Sequence, residues 1–202
     1  APWNLSRLAE TILFLISKNT SDAIKVVEEI LFDFDKNFNN SLDILISHKL
    51  GFKNNSKKTS SLYSELLNLM EAGKADFTGT FKSLKATLIK EDDTIFLNNF
   101  RNSDEETQHA VSQWLGNWRK LLQENSKSKT EAIELLSSSN PEFIMRNHLV
   151  EQAIGKATKG DFSDFEILCD LLITPFEVKE NHETFYNAPR DSEVVHQTFC
   201  GT

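Results

Sequence analysis

Val111, Trp114, Leu115, Trp118, Leu121 and Leu122 recur at the i, i+3, i+4, i+7 spacing of a single helix face. That period constrains the fold most, because it returns along nearly the whole chain. Leu5, Leu8, Ile12, Leu15 and Ile16 make a first stripe. Ala23, Val26, Val27, Ile30, Leu31, Phe34 and Phe38 make a second, with Ser21 or Thr20 as its N-cap. A third helix is predicted from Ser41 to Leu50, with Gly51 in the left-handed position that ends it. Leu62, Leu66, Leu69 and Met70 form a fourth, stopped by Gly73, and "ADFTGTFKSL" predicts a short helix presenting Phe77, Phe81 and Leu84. A helix or turn follows around Ile95 to Phe100.

Ser103 is expected to cap the Trp114–Trp118 helix, and a shorter helix covers Thr130 to Leu136. Asn140 is expected to cap the next one, with Pro141 in its first turn. Ser163 caps the last, which carries Phe165, Leu168, Leu171 and Leu172 to Pro175. No strand alternation appears, so the fold class is all-α: an irregular multi-helix region over 1–175, then an aperiodic, extended tail over 176–202.

A chain of 202 residues fits one domain or one large lobe. Its net charge of −8 argues against nucleic acid or an anionic membrane as partner, since phosphate neutralisation needs clustered Lys and Arg. The densest basic cluster, Lys53, Lys57 and Lys58, sits among Asn and Ser and reads as a solvated loop. No apolar run approaches the ~20 residues of a membrane span, and "TILFLI" is too short for a signal peptide. Two cysteines make no disulfide framework, so the reducing cytoplasm is the expected location. Cys169 lies among core-type positions and is expected to be a buried small hydrophobe. Cys200 stands in "EVVHQTFCGT", where an exposed thiol is a chemical liability. The sequence begins "APWNLSRLAE" without Met, which suggests a piece of a longer chain, with Met removal before Ala1 as the alternative.

Chemistry is sparse. Gly155 and Gly160 in "GKATKGDF" have P-loop spacing, but Asp161 and Phe162 stand where the Lys-Ser/Thr pair is needed. Glu106 with His109, and Glu193 with His196, form two E-x-x-H pairs of the kind that builds di-metal sites in helix bundles. His148 and Glu151 are equally well spaced, and solvated faces explain all three pairs more simply. No G-x-S-x-G, H-R-D or D-F-G motif is present. Trp114 and Trp118 read as core, and Arg146 as the partner of a carboxylate. No catalytic, cofactor-binding or metal-ligating residue is assigned.

Several stretches carry a resemblance. "PWNLSRLAETILFLI" resembles the W-N-L-x-R-L-A segment of the selenoprotein O family, "HKLGF" its K-L-G-L motif and "DFTGTFKSL" its D-[YF]-T-x-x-F-x-x-L motif. "WLGNWRKLL" is similar to its paired-Trp helix, and "NPEFIMRNHLVEQAI" to its N-P…R-N…A-I pattern. "GDFSDFEILCDLLITPF", "FYNAPR" and the ending "CGT" follow in the same order. The family's own ending is usually Cys-Ser-Ser or selenocysteine-Ser-Ser.

The resemblance implies a pseudokinase-like protein adenylyltransferase that moves AMP from ATP to Ser, Thr or Tyr hydroxyls of proteins, using Mg²⁺ or Mn²⁺. The nucleotide and metal residues of such proteins lie upstream of W-N-L-x-R-L-A. No residue here inherits them, and this chain is expected to be inactive by itself. It would be the helical C-terminal region, with the upstream kinase-like domain as partner and Cys200 as a redox element. The first helix, Trp3 to Ile16, is then expected to present an apolar face to that domain. The alternative is a self-contained bundle holding a metal pair or a partner helix. It requires Glu106, His109, Glu193 and His196 to converge.

Overall fold

A computed structural model describes residues 2–125 and 128–197, and among these the apolar period folds as nine α-helices with no strand. They are α1 (Pro2–Ile16), α2 (Thr20–Lys49), α3 (Lys57–Ala72), α4 (Phe77–Lys90), α5 (Thr94–Leu97), α6 (Glu105–Asn125), α7 (Lys129–Ser139), α8 (Asn147–Ala157) and α9 (Ser163–Ile173). The tail adds two 3-10 turns, Glu183–Tyr186 and Asp191–Glu193. The all-α expectation is met.

The boundaries differ from the sequence reading in instructive ways. The second and third stripes are one helix, α2, of 30 residues. Asn39 and Asn40 interrupt the apolar pattern but, being neither Gly nor Pro, do not stop the backbone ladder. Caps fall one or two residues from the predicted ones, on the side chain that accepts from an amide two or three positions on. Asn19 Oδ1 accepts from the Ser21 N–H at 2.9 Å, Asp104 from Thr107 at 2.8 Å, and Asp161 from Ser163 at 3.0 Å. Ser21, Ser103 and Ser163 are therefore not the caps. Gly51 has φ of 82°, as its position after α2 predicts.

The largest displacement is at α8, which begins at Asn147 and not at Asn140. Both Glu142 and Phe143 donate their N–H groups to the Pro175 carbonyl, at 2.8 and 3.0 Å. Those amides are thus committed to the chain after α9, and residues 140–146 run without helix, with Asn140 and Phe143 buried, before α8 winds.

The chain divides into two compact units, 1–46 and 47–202. In the second, Leu50, Leu66, Phe81, Leu84, Phe96, Leu115, Trp118 and Leu136 are fully buried in one core. Trp114 and Trp118 stack with centroids 6.1 Å apart and planes 9° apart. Their indole N–H groups donate to the Leu62 and Leu50 carbonyls at 2.8 and 2.9 Å, which satisfies the polar handle of each buried ring. A smaller core joins Phe143, Leu149, Ala153, Leu168 and Leu171, with Phe185 and Tyr186 of the tail packed against it.

The first unit is different in kind. No residue of α1 is buried, and of residues 2–46 only Ala23 is.

Candidate functional site

The motif-bearing segments of the second unit meet at one junction. Asp76 precedes α4, where its Oδ1 accepts from the Gly79 N–H at 2.6 Å and caps the helix. The same carboxylate receives both guanidinium nitrogens of Arg146, at 2.7 and 2.9 Å, in a bidentate pair that is mostly buried. Burial alone would raise the Asp76 carboxyl. The Arg146 and Gly79 hydrogen bonds, with the charges of Arg146 and Lys82, outweigh it and hold the carboxyl below the usual range. Arg146 does find a carboxylate, as its sequence reading expected, although it stands just before α8 and not inside it.

Asn140 is the second stitch. Its side-chain amide donates to the Lys49 carbonyl at 2.9 Å, and its Oδ1 accepts from Lys49 Nζ at 3.0 Å. Burial lowers the Lys49 ammonium to about 8. That ammonium also lies 4.4 Å from the Phe81 ring centroid. The tail supplies a third connection. Tyr186 packs edge-on against Phe143 at 6.2 Å, its hydroxyl accepts from the Lys179 N–H at 2.8 Å, and Lys82 Nζ sits 5.3 Å over its ring. Arg101 clamps the tail through the Asp191 carboxylate and the Pro189 carbonyl.

Glu142 gathers two lysines, with Lys85 Nζ at 3.2 Å and Lys82 Nζ at 3.8 Å. A cleft of about 580 Å³ opens here, lined in part by Asp76, Lys82, Arg101, Tyr186, Arg190 and Asp191. Sequence reasoning missed Asp76, Lys82, Glu142 and Arg190 as a group. The quoted motifs contain all four, but Asp76 and Arg146 stand 70 positions apart and only folding joins them.

The remaining sequence candidates fall elsewhere. His109 is exposed beside Gln113, and the Glu193 carboxylate accepts from the Arg190 N–H at 2.8 Å and shares a cleft with His148. Among the described residues no three His, Cys, Asp or Glu side chains form a metal-binding group, so Glu106, His109, Glu193 and His196 do not converge. Gly155 lies within α8 and Gly160 just beyond it, at a C-terminal end where carbonyls repel phosphate. These two glycines therefore form no phosphate-cradling loop.

Cys169 is exposed, contrary to the expected buried position. Its turn of α9 faces an apolar groove shared with Met145, Ile154, Phe162 and Phe165. The helix is too short of neighbours on that side to cover it. Cys200 lies outside the described residues. Among those described, no helix is long and apolar enough to cross a membrane.

The described residues form an all-helical chain in which motif residues of the second unit meet at a stitched junction. The comparisons assign its family. The sequence profile described as protein adenylyltransferase SelO matches residues 1–173, and the chain belongs to this family.

The protein nucleotidyltransferase YdiU of Rhizobium meliloti (strain 1021) is 39% identical over 202 residues, covering 99% of this chain and 40% of the relative. The protein of the same name from Clostridium botulinum (strain 657 / Type Ba4) is 34% identical, and that from Bacillus cereus (strain AH187) 32%. In both, the match covers all of this chain and 39% of the relative. The chain thus spans about 40% of the length of the curated relatives it matches.

Proposed function

We propose that this chain is the helical C-terminal region of a cytoplasmic protein adenylyltransferase, scaffolding the kinase-like part that transfers AMP from ATP to protein hydroxyls. One observation carries the reading: a 46-residue unit with a single buried residue among those described. Trp3, Phe14 and Leu15 are each more than 70% exposed, and Phe32 is 87% exposed. So much apolar surface on two helices marks an interface, and the relatives have 60% of their length, by difference from the 40% matched, with which to cover it.

In this reading ATP with Mg²⁺ or Mn²⁺ supplies the transferable AMP entirely within the upstream part. This chain's residues hold α1 and α2 in place against that part. Cys200 acts as a redox element. Its thiol and a thiol of the upstream part form a disulfide, passing two electrons and two protons to an oxidant such as glutathione disulfide.

The test is a graft into the Rhizobium meliloti relative. Its matched segment is deleted, then replaced by this chain, and transfer of labelled AMP to protein is measured. Activity lost on deletion and restored by the graft is the expected result. Full activity of the deleted form would refute a scaffolding role. Oxidation by glutathione disulfide should change the grafted protein's activity, and Cys200→Ser should remove that response.

A further inference from the structure

Lys49 differs from the other lysines of the junction in the company its amine keeps. It ends α2, and its Nζ donates to Asn140 Oδ1 at 3.0 Å while lying 4.4 Å from the Phe81 ring centroid and 5.6 Å from that of Phe77. All three neighbours are neutral, and among the described residues Lys49 makes no salt bridge. Lys82, the other lysine here whose charge burial disfavours, has the Glu142 carboxylate at 3.8 Å.

Burial lowers the Lys49 ammonium to about 8, and no charged group on α2, on α4 or on the 140–146 segment adds to that effect or opposes it. At pH 7 roughly a tenth of this side chain is then free amine, against about four in ten thousand for a lysine at its ordinary pKa of ~10.4. The free amine is the nucleophile, and desolvation is one of the ways in which a lysine is activated. The amine is also within reach of solvent. Lys49 is only partly buried, and Phe77 beside it is 50% exposed, whereas Phe81 beneath it is fully buried.

We propose that Lys49 is a modification site, whose amine takes the acyl group of an acyl phosphate beside the half-exposed ring of Phe77. The nitrogen lone pair attacks the acyl carbon and forms the C–N bond. The C–O bond to phosphate breaks, phosphate leaves with its electron pair, and the nitrogen gives one proton to solvent. The amide product suits its surroundings better than the ammonium does. It puts no charge among neutral neighbours, and its remaining N–H still donates to Asn140 Oδ1, so the stitch between α2 and the 140–146 segment is kept. A carbamate from CO2 would instead set a negative charge against two ring faces that repel it. This chemistry is independent of AMP transfer by the upstream part.

The experiment exposes the 202-residue chain briefly to acetyl phosphate and measures the rate of acetylation at each lysine by peptide mass spectrometry. At pH 7 Lys49 should react about tenfold faster than the exposed Lys18 and Lys25, its lower basicity taking back part of a roughly 250-fold gain in free amine. Its rate should level off above about pH 8, where theirs still climbs. Equal rates at the three lysines, or a Lys49 rate that climbs with theirs, overturns the proposal. Asn140→Asp sets a carboxylate beside the amine and should slow Lys49 to the rate of the exposed lysines. An unchanged Lys49 rate in that variant, folded by circular dichroism, would show that the missing anion is not what activates the amine. The pH profile of the unaltered chain decides the matter even if Asn140→Asp fails to fold.

Discussion

Asp76 serves two partners with one carboxylate, capping α4 and pairing with Arg146. Removing either side of a largely buried pair strands the other charge. Asp76→Ala and Arg146→Ala are each expected to cost about 3 kcal/mol, towards the lower end for buried pairs because both side chains keep some solvent contact. Denaturant unfolding followed through Trp114 and Trp118 measures both. The double variant should cost clearly less than the sum, and strict additivity would show that the pair is not coupled.

Acid should expose the same group. The folded Asp76 carboxyl lies below its unfolded value, so its contribution is complete above about pH 4. It is lost as pH falls through the lower folded value. The stability difference between the native protein and Asp76→Asn should therefore shrink on acidification below that pH. A constant difference would contradict the assignment.

Among the elements, α4 depends on a glycine where helices ordinarily favour alanine. A Cβ at Gly79 would lie 2.2 Å from Asn99 Oδ1 and 2.7 Å from Asp76 Oδ1. The residue is small because the cap and the 98–101 turn close over it. Gly79→Ala is expected to destabilise by about 1–3 kcal/mol, as overpacking does. Gly116 in α6 and Gly155 in α8 meet nothing within 4 Å, so alanine there should stabilise by up to ~1 kcal/mol. Thermal melts of the three variants test the contrast, and a uniform sign across them would refute it. The paired tryptophans show the same principle in apolar form: α6 aims both indoles inward, and their N–H groups find a carbonyl within α3 and one at the end of α2.

For the whole molecule, the decisive feature is the unequal burial of its two units. Replacing Trp3, Phe14 and Leu15 together with serine removes apolar side chains that are each more than 70% exposed. The unfolding free energy of the second unit should stay within about 0.5 kcal/mol, as for surface changes elsewhere. In the grafted Rhizobium meliloti protein the same triple variant should abolish AMP transfer. Retained transfer would mean that α1 is not the docking face.

How much the sequence determined follows from how far each signal reaches along the chain. Helical period, terminating glycines and the buried tryptophans are local or nearly local. They were legible because 3.6-residue spacing and left-handed φ act within a few positions. The caps were displaced by a residue or two, since serine, aspartate and asparagine compete for the same amides and only the backbone decides among them. The motifs "DFTGTF", "NPEFIMRN" and "FYNAPR" were visible as strings, and their meaning was not.

Only the tertiary structure brought Asp76 to Arg146, turned Asn140 from a helix cap into a stitch on Lys49, and laid the tail across α4. These contacts join residues tens of positions apart, where hydrogen-bond geometry depends on the packed core and not on spacing. Exposure of Cys169 belongs to the same class. An apolar position on a helix is buried only if another element arrives to cover it, and no periodicity states which elements arrive.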